Sequence, residues 1–431
     1  MQIADAQTGA THTLFRVAKR GPGFSFFWTD AFPSGPIWWL ASNTIVFPAE
    51  TDGYLHLYAA DPDGRTAPRL LTPGRFEIET AVPTADNRAL LVQSNQDDLV
   101  ARHLWRLDPL RGNSVRLTSG PRNQWSPVAL AGNAYAYVDA GYDEPPAMVV
   151  HDSADRALAA SAITAPARAA FVRPRVVTFR SADGLTIHGE LFAPRGAPAR
   201  HPALIFVHGG PVRQMLPGFH YFEAYTQLYE FNQYFANHGF TVLSIDYRSG
   251  IMYGAAFRDA AHIGPAGAAE YQDVLAGAAF LKRQPGVDPH ELGIYGLSYG
   301  GYLTALALAR NSDLFAAGAD FAGVHDWAGI LGGPALSGVA TPQELRTAWE
   351  ASPLSSVAQW RSPVFLSQGD DDRNVKFDQG LRLADALRKR GVEVDELVIP
   401  DETHAYTRYA DLLASYEAAA QFLIAHLHGT P

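Results

Sequence analysis

Leu292-Gly293-Ile294-Tyr295-Gly296-Leu297-Ser298-Tyr299-Gly300-Gly301-Tyr302 is the stretch of this 431-residue chain from which the rest can be read. Leu292–Tyr295 reads as a buried strand, and the apolar spacing from Tyr302 onward reads as a helix. A strand that turns at once into a helix crowds its own backbone, and Gly296, Gly300 and Gly301 remove the side chains that would collide. Ser298 is thereby forced onto the tip of the turn in a G-x-S-x-G elbow, open to a substrate on one side and a base on the other. The backbone N–H groups just beyond it open a helix and favour developing negative charge, so Tyr299 N–H is a candidate oxyanion donor.

Around the elbow, strands and helices alternate. Arg175–Arg180 and Leu185–Phe192 flank the turn signal Ala182-Asp183-Gly184. Ala203–Val207, Thr241–Ile245, Gly318–Phe321, Val364–Gln368 and Glu393–Ile399 read as further strands. Helical spacing fills the gaps at Phe222–Asn237, Ala268–Arg283, Gln379–Arg390 and Leu412–Leu427. The pattern predicts an α/β-hydrolase domain over residues 171–431, with a mainly parallel sheet and reactive groups at the carboxyl ends of its strands.

A serine hydroxyl needs a base to take its proton and a carboxylate to hold that base, and in this fold the chain order is serine, acid, histidine. His404 follows Glu393–Ile399 in the loop Pro400-Asp401-Glu402-Thr403 and is the expected base. His325 precedes every plausible acid and reads as a pocket-border or strand-end residue. His426 and His428 fall in the last helix. Strand Val364–Gln368 ends in Gly369-Asp370-Asp371-Asp372-Arg373-Asn374-Val375, where three aspartates compete; Asp372, three residues before the apolar Val375, is the choice. His208-Gly209-Gly210-Pro211, directly after Ala203–Val207, supplies a second oxyanion donor from the N–H of Gly209 or Gly210.

Residues 1–170 have a different texture, with short β-prone runs separated by D-P-D-G, P-G, S-G and G-N turns. They also repeat. His56-Leu57-Tyr58 returns as His103-Leu104-Trp105 and Asp61-Pro62 as Asp108-Pro109, both 47 residues on. Leu71-Thr72 returns as Leu117-Thr118 after 46, with Ile163-Thr164 another 46 beyond and Asp5 and Asp152 as weaker outer members. Short strands at that period predict about three to four blades of a small or incomplete β-propeller. Since Met1 begins inside a blade, the chain reads either as a fragment or as a propeller completed by self-association through its open edges.

A formal charge of −10 without a Lys/Arg cluster argues against a nucleic-acid partner and is read as favouring solubility. No apolar run reaches the ~18 residues of a membrane span, and no secretory leader is visible, which leaves a soluble cytoplasmic or periplasmic chain. The absence of cysteine excludes disulfides, thiolate metal sites and a cysteine nucleophile. No metal or cofactor is expected.

Together, H-G-G-P at 208–211, Asp246-Tyr247-Arg248-Ser249-Gly250 with Tyr253-Gly254 and Phe257, Glu270-Tyr271-Gln272-Asp273-Val274, G-L-S-Y-G-G-Y at 296–302, D-R-N-V at 372–375 and D-E-T-H at 401–404 resemble the prolyl oligopeptidase family of serine peptidases, especially its dipeptidyl and acylaminoacyl peptidase branches. The resemblance implies a β-propeller over the hydrolase sheet, short peptides as substrates, and a pocket-lining segment at Phe321–Trp327. It places Val324, Trp327, Ile330, Val375 and Tyr299 around an apolar pocket before the scissile bond, and Asn374 on the preceding substrate carbonyl. Ile330 stands where the dipeptidyl branch has tyrosine, and no paired-glutamate segment is visible in residues 1–170, so proline-specific dipeptide release is not implied. Two other readings are a carboxylesterase using the same triad and a non-enzymatic propeller binding module.

Overall fold

The computed structural model describes residues 1–16, 36–159, 161, 163–333, 336 and 338–427. The chain divides into two compact units. One comprises Met1–Arg168, Leu216–Tyr221 and Ile251–Asp259, the other Ala169–Met215, Phe222–Gly250 and Ala260–Pro431.

In the first unit β1 (Gln2–Ala4) and β2 (Thr11–Thr13) form a hairpin. Three antiparallel meanders follow: β3 (Trp38–Trp39), β4 (Ile45–Glu50), β5 (Leu55–Ala60) and β6 (Arg69–Leu70); β7 (Ile78–Pro83), β8 (Leu90–Ser94), β9 (His103–Asp108) and β10 (Asn113–Arg116); and β11 (Asn123–Ala129), β12 (Tyr135–Ala140), β13 (Ala147–His151) and β14 (Asp155–Ala157). Successive side chains in a strand point to opposite faces, so the first and second meanders each feed two cores. Val46, Leu57, Leu90 and Val92 share one core, Ile45, Phe47 and Tyr58 pack with Leu14, and Leu91 and Leu104 pack with Tyr135 and Tyr137.

The repeat has a hydrogen-bonding basis. Thr72 Oγ1 accepts the Leu57 N–H at 3.0 Å while Leu71 N–H donates to the Leu57 carbonyl at 2.8 Å. Thr118, Leu104 and Leu117 reproduce the arrangement at 2.9 and 2.8 Å. In the third meander the matching donor is Leu158, bonded to the Met148 carbonyl at 2.9 Å. Ile163-Thr164 does not continue the series there, because Thr164 Oγ1 instead accepts the Ala167 N–H at the start of a short helix. The unit is not contiguous in sequence. Arg258 is ion-paired to Glu50 at 2.8 Å, and the Tyr221 hydroxyl donates to Glu79 at 2.7 Å, binding two later segments to these sheets.

The second unit is built on an eight-stranded sheet of β15 (Arg175–Arg180), β16 (Thr186–Phe192), β17 (His201–Val207), β18 (Thr241–Asp246), β19 (Val287–Leu297), β20 (Ala317–Phe321), β21 (Val364–Gly369) and β22 (Val394–Ile399). The order is β15-β16-β18-β17-β19-β20-β21-β22; β16 is antiparallel to both neighbours and the remaining pairs are parallel. Seven helices matter below: α1 (Glu223–Asn237), α2 (Glu270–Leu281), α3 (Tyr299–Arg310), α4 (Trp327–Leu331), α5 (Pro342–Glu350), α6 (Asp378–Arg388) and α7 (Tyr409–His426). Every residue of α3 from Tyr299 to Ala309 is buried, as expected of a helix apolar on all sides.

The loop after β22 is folded around one carboxylate. Glu402, buried in full, accepts N–H groups from Thr407 at 2.7 Å and Arg408 at 2.8 Å, and the Arg408 guanidinium at 3.0 Å. Burial alone would raise its pKa, but these donors outweigh burial and hold the carboxyl at about 2 against an ordinary 4.5. A depressed carboxylate contributes stability that is complete above its unfolded pKa and lost as pH falls through the folded value. Urea unfolding of wild type and Glu402→Gln is therefore expected to show a stability gap that is constant above about pH 5 and closes between about pH 4.5 and 2. A gap independent of pH would remove Glu402 from that role.

Candidate active site

Where β19 passes into α3, Ser298 holds φ 62° and ψ −116°, a left-handed backbone that an ordinary side chain rarely adopts. The turn is so close that a Cβ on Gly296 would lie 2.6 Å from the Gly300 carbonyl carbon, and one on Gly300 would overlap the Val207 carbonyl at the end of β17. Ser298 N–H donates to the Phe321 carbonyl at 2.7 Å and its own carbonyl accepts Tyr302 N–H at 2.9 Å, so strand β20 and helix α3 hold the tip. The residue is half-buried.

Two loops at the carboxyl ends of β21 and β22 meet. His404 Nδ1 lies 2.7 Å from Asp372 Oδ2. A carboxylate only accepts, so Nδ1 carries a proton, and in the neutral ring this is the tautomer that leaves Nε2 its lone pair, as a base requires. Asp372 is buried and held from several directions: Oδ1 accepts Asn374 N–H at 2.9 Å and Val375 N–H at 3.0 Å, and Oδ2 also accepts Gln368 Nε2 at 3.2 Å. Its rivals are engaged elsewhere. Exposed Asp370 accepts Asp401 N–H and exposed Asp371 pairs with Arg373. Asp372 and His404 are thus bonded, while no hydrogen bond from Ser298 Oγ to His404 forms among the described residues.

His325 is bonded through both ring nitrogens, to Gln379 and Asp320. His426 faces the Phe422 carbonyl and Glu393, and His428 lies outside the described residues. Burial pushes the His208 pKa down to about 3, so its neutral ring donates from Nδ1 to the Gly209 carbonyl at 2.8 Å and stiffens the loop after β17.

That loop lies against the elbow. A Cβ on Gly209 would sit 3.1 Å from Ser298 Cβ and 2.9 Å from the Tyr225 hydroxyl. Tyr225, on α1, was not singled out by sequence, because a tyrosine on an apolar helix face reads as core. Burial raises its pKa, so the phenol keeps its proton and remains a donor. Gly210, with φ 125°, turns the chain toward Arg213, whose guanidinium covers the Tyr225 ring at 5.5 Å.

Of the residues expected around the pocket, Tyr299 and Trp327 come together with ring centroids 5.9 Å apart, and Tyr302 stands edge-on to Trp327 at 5.5 Å. The Tyr299 hydroxyl donates to buried Glu270 at 2.5 Å. Val324 and Val375 are buried, and Ile330 is half-buried on α4. Asn374 is exposed, and its N–H is bonded to Asp372. Among the described residues no cluster of acidic or histidine side chains is arranged to hold a metal ion, and no helix is long and apolar enough to cross a membrane.

Comparison with known proteins bears on this geometry. Over 246 residues the chain is 27% identical to the uncharacterized peptidase YuxL of Bacillus subtilis, covering 54% of this chain and 36% of the relative. It is also 27% identical to dipeptidyl aminopeptidase BIII of Pseudoxanthomonas mexicana, covering 54% and 35%. The matched stretch is little more than a third of either relative. A puromycin-hydrolyzing peptidase of Mycobacterium tuberculosis superposes with a TM-score of 0.79 at 24% identity, over 91% of this chain and 61% of that one, which shows likeness of fold. Residues 1–146 match the dipeptidyl peptidase IV N-terminal region and residues 227–430 the prolyl oligopeptidase family. With both matches present in that order, the chain is similar to the prolyl oligopeptidase family over most of its length.

Proposed function

We propose that this chain is a serine peptidase that hydrolyses short peptides through an acyl-enzyme, with Ser298 as nucleophile, His404 as general base and Asp372 as the carboxylate that orients the base. The 2.7 Å bond between Asp372 and His404 carries the reading, since it selects the neutral tautomer whose Nε2 can accept a proton, on a loop of the same sheet whose strand β19 ends in the Ser298 elbow. His404 takes the serine proton as Oγ attacks the substrate carbonyl, then gives it to the departing amine; water repeats the cycle on the ester. Oxyanion charge falls to Tyr299 N–H and a second donor. Gly209 or Gly210 N–H fits by position, and the Tyr225 hydroxyl, packed against Gly209 beside Ser298, supports a side-chain donor there.

The pocket before the scissile bond is assigned to Val324, Trp327, Ile330, Val375 and Tyr299, whose apolar surfaces favour an uncharged side chain, with Asn374 toward the preceding substrate carbonyl. Residues 1–170 are read as a domain of β-propeller blades, one per meander, and residues 171–431 as the hydrolase domain. Blades with open outer edges also favour homo-oligomers.

Fluorophosphonate labelling is expected for wild type and lost in Ser298→Ala. Asp372→Asn, which allows the wrong histidine tautomer, should lower kcat by about 10⁴-fold. Tyr225→Phe should lower it by roughly 10²–10³-fold if the hydroxyl meets the oxyanion, whereas an unchanged kcat would return that role to a glycine N–H. Turnover of a peptide amide and an ester of matched structure separates peptidase from carboxylesterase; cleavage of the ester alone would end the peptidase reading.

A further inference from the structure

We infer that His325 and Asp320 form a positioning pair that sets the width of the pocket before the scissile bond, and so selects the side chain accepted there. The inference rests on the reading of Ser298 as nucleophile and of Phe321–Trp327 as the pocket wall. Neither residue is exposed: Asp320 retains 1% and His325 2% of its surface. His325 Nε2 lies 2.7 Å from Asp320 Oδ2 and Nδ1 lies 2.9 Å from the Gln379 carbonyl. Both partners are acceptors, so a neutral imidazole would set one lone pair against an oxygen; the pair therefore holds a proton at each contact.

The remaining Asp320 oxygen ties the pair to the site. Oδ1 accepts the Gly323 N–H at 2.9 Å. A Cβ on Gly323 would lie 2.5 Å from Oδ1, and one on Gly301, in the first turn of α3, would overlap the same oxygen. The carboxylate is thus wedged between the nucleophile helix and the pocket segment, in spaces only glycine leaves open. From the other side Gln379, on α6, accepts His325 N–H at 2.9 Å and Asp326 N–H at 2.8 Å through one side-chain oxygen. Asp326 in turn caps α4 through Gly329 N–H at 2.8 Å. Val324 lies within this anchored segment and Trp327 follows it, its ring resting on Tyr299 and Tyr302. No hydrogen bond joins His325 or Asp320 to Ser298, Asp372 or His404 among the described residues. Their influence runs through the wall.

The test measures kcat and KM on peptides differing only in the residue before the scissile bond, alanine against leucine and phenylalanine, alongside the rate of fluorophosphonate labelling at Ser298. In His325→Ala the preference among these side chains should shift by about 10-fold or more, the scale of a one-methylene misfit, mainly through KM, with labelling retained. Asp320→Asn keeps the shape, and its amide can donate to Nε2 of a neutral imidazole, so it should preserve the wild-type preference where Asp320→Ala loses it. Should His325→Ala fail to fold, Gln379→Ala frees the same segment without stranding a buried charge and should shift the preference in the same direction. Folded, labelled His325→Ala or Gln379→Ala with unchanged preference would overturn the inference alone. Wild-type protein that does not label would overturn the nucleophile assignment and this inference with it.

Discussion

The Val207 carbonyl sits where the side chain of residue 300 would be, and most of the site follows from that contact. β17 and β19 are parallel neighbours in register from Ala203↔Leu292 to Val207↔Gly296, so the loop leaving β17 and the elbow leaving β19 emerge side by side. Two chain reversals cannot share that space unless one carries no side chains, and Gly209, Gly296 and Gly300 supply the room. Ser298 is then held in a left-handed conformation that costs about 1–3 kcal/mol, and the surrounding burial offsets it. α3 begins at the next residue and is enclosed along its length, and Phe321 accepts the serine N–H.

Asp372 and His404 approach from elsewhere, and each lies on a loop held by its own hydrogen bonds. Asp372 folds back on its own turn through Asn374 and Val375 N–H, while the Gln368 amide bridges Asp372 to the Val375 carbonyl at 2.7 Å. A Cβ on Gly380 at the start of α6 would lie 2.7 Å from Gln368 Oε1, so α6 backs this bridge while the adjacent Gln379 holds His325. The Asp372 loop and the segment Phe321–Trp327 therefore share one helical turn as support. Precision at the site comes from such second partners, which lock side chains that a loop alone would leave free.

The elbow, the βα alternation and the 47-residue repeat were legible because each rests on local chemistry: glycine where backbone crowds, apolar periodicity, and a threonine that accepts a strand N–H. What failed to show was non-local. Asp372 was separable from Asp370 and Asp371 only by its distance to Val375, and the structure supplies the reason, since Val375 N–H is bonded to it. Tyr225 had no motif, as its meaning depends on Gly209 and Ser298 from two other elements. The helices α4 and α5 were missed because 5 and 9 residues are too few to set up a sustained period, and α5 is announced mainly by its Thr341–Glu344 capping box. Ile163-Thr164 matched the repeat by spacing, but the third meander closes earlier, at Leu158.

Acidic residues carry a further lesson. A charge of −10 reads as a solvated surface, yet Asp246, Glu270, Asp273, Asp320, Asp326, Asp372 and Glu402 are all buried in the second unit. Each accepts a backbone N–H: Met215 for Asp246, Gly264 for Glu270, Arg248 for Asp273, Gly323 for Asp320, Gly329 for Asp326, Asn374 for Asp372 and Thr407 for Glu402. The donors lie in irregular segments or in the first turn of a short helix, where no strand or helix partner exists and an unpaired buried N–H would cost about as much as a lost hydrogen bond. A carboxylate suits this task because it accepts several donors at once, as Glu402 and Asp372 do. The same device that orders an irregular buried loop also leaves a negative charge facing into it, and at Asp372 that charge is turned toward an imidazole. On the proposed reading, the acid of the site is one of a set of structural carboxylates, distinguished from the others by which side chain stands on its open oxygen.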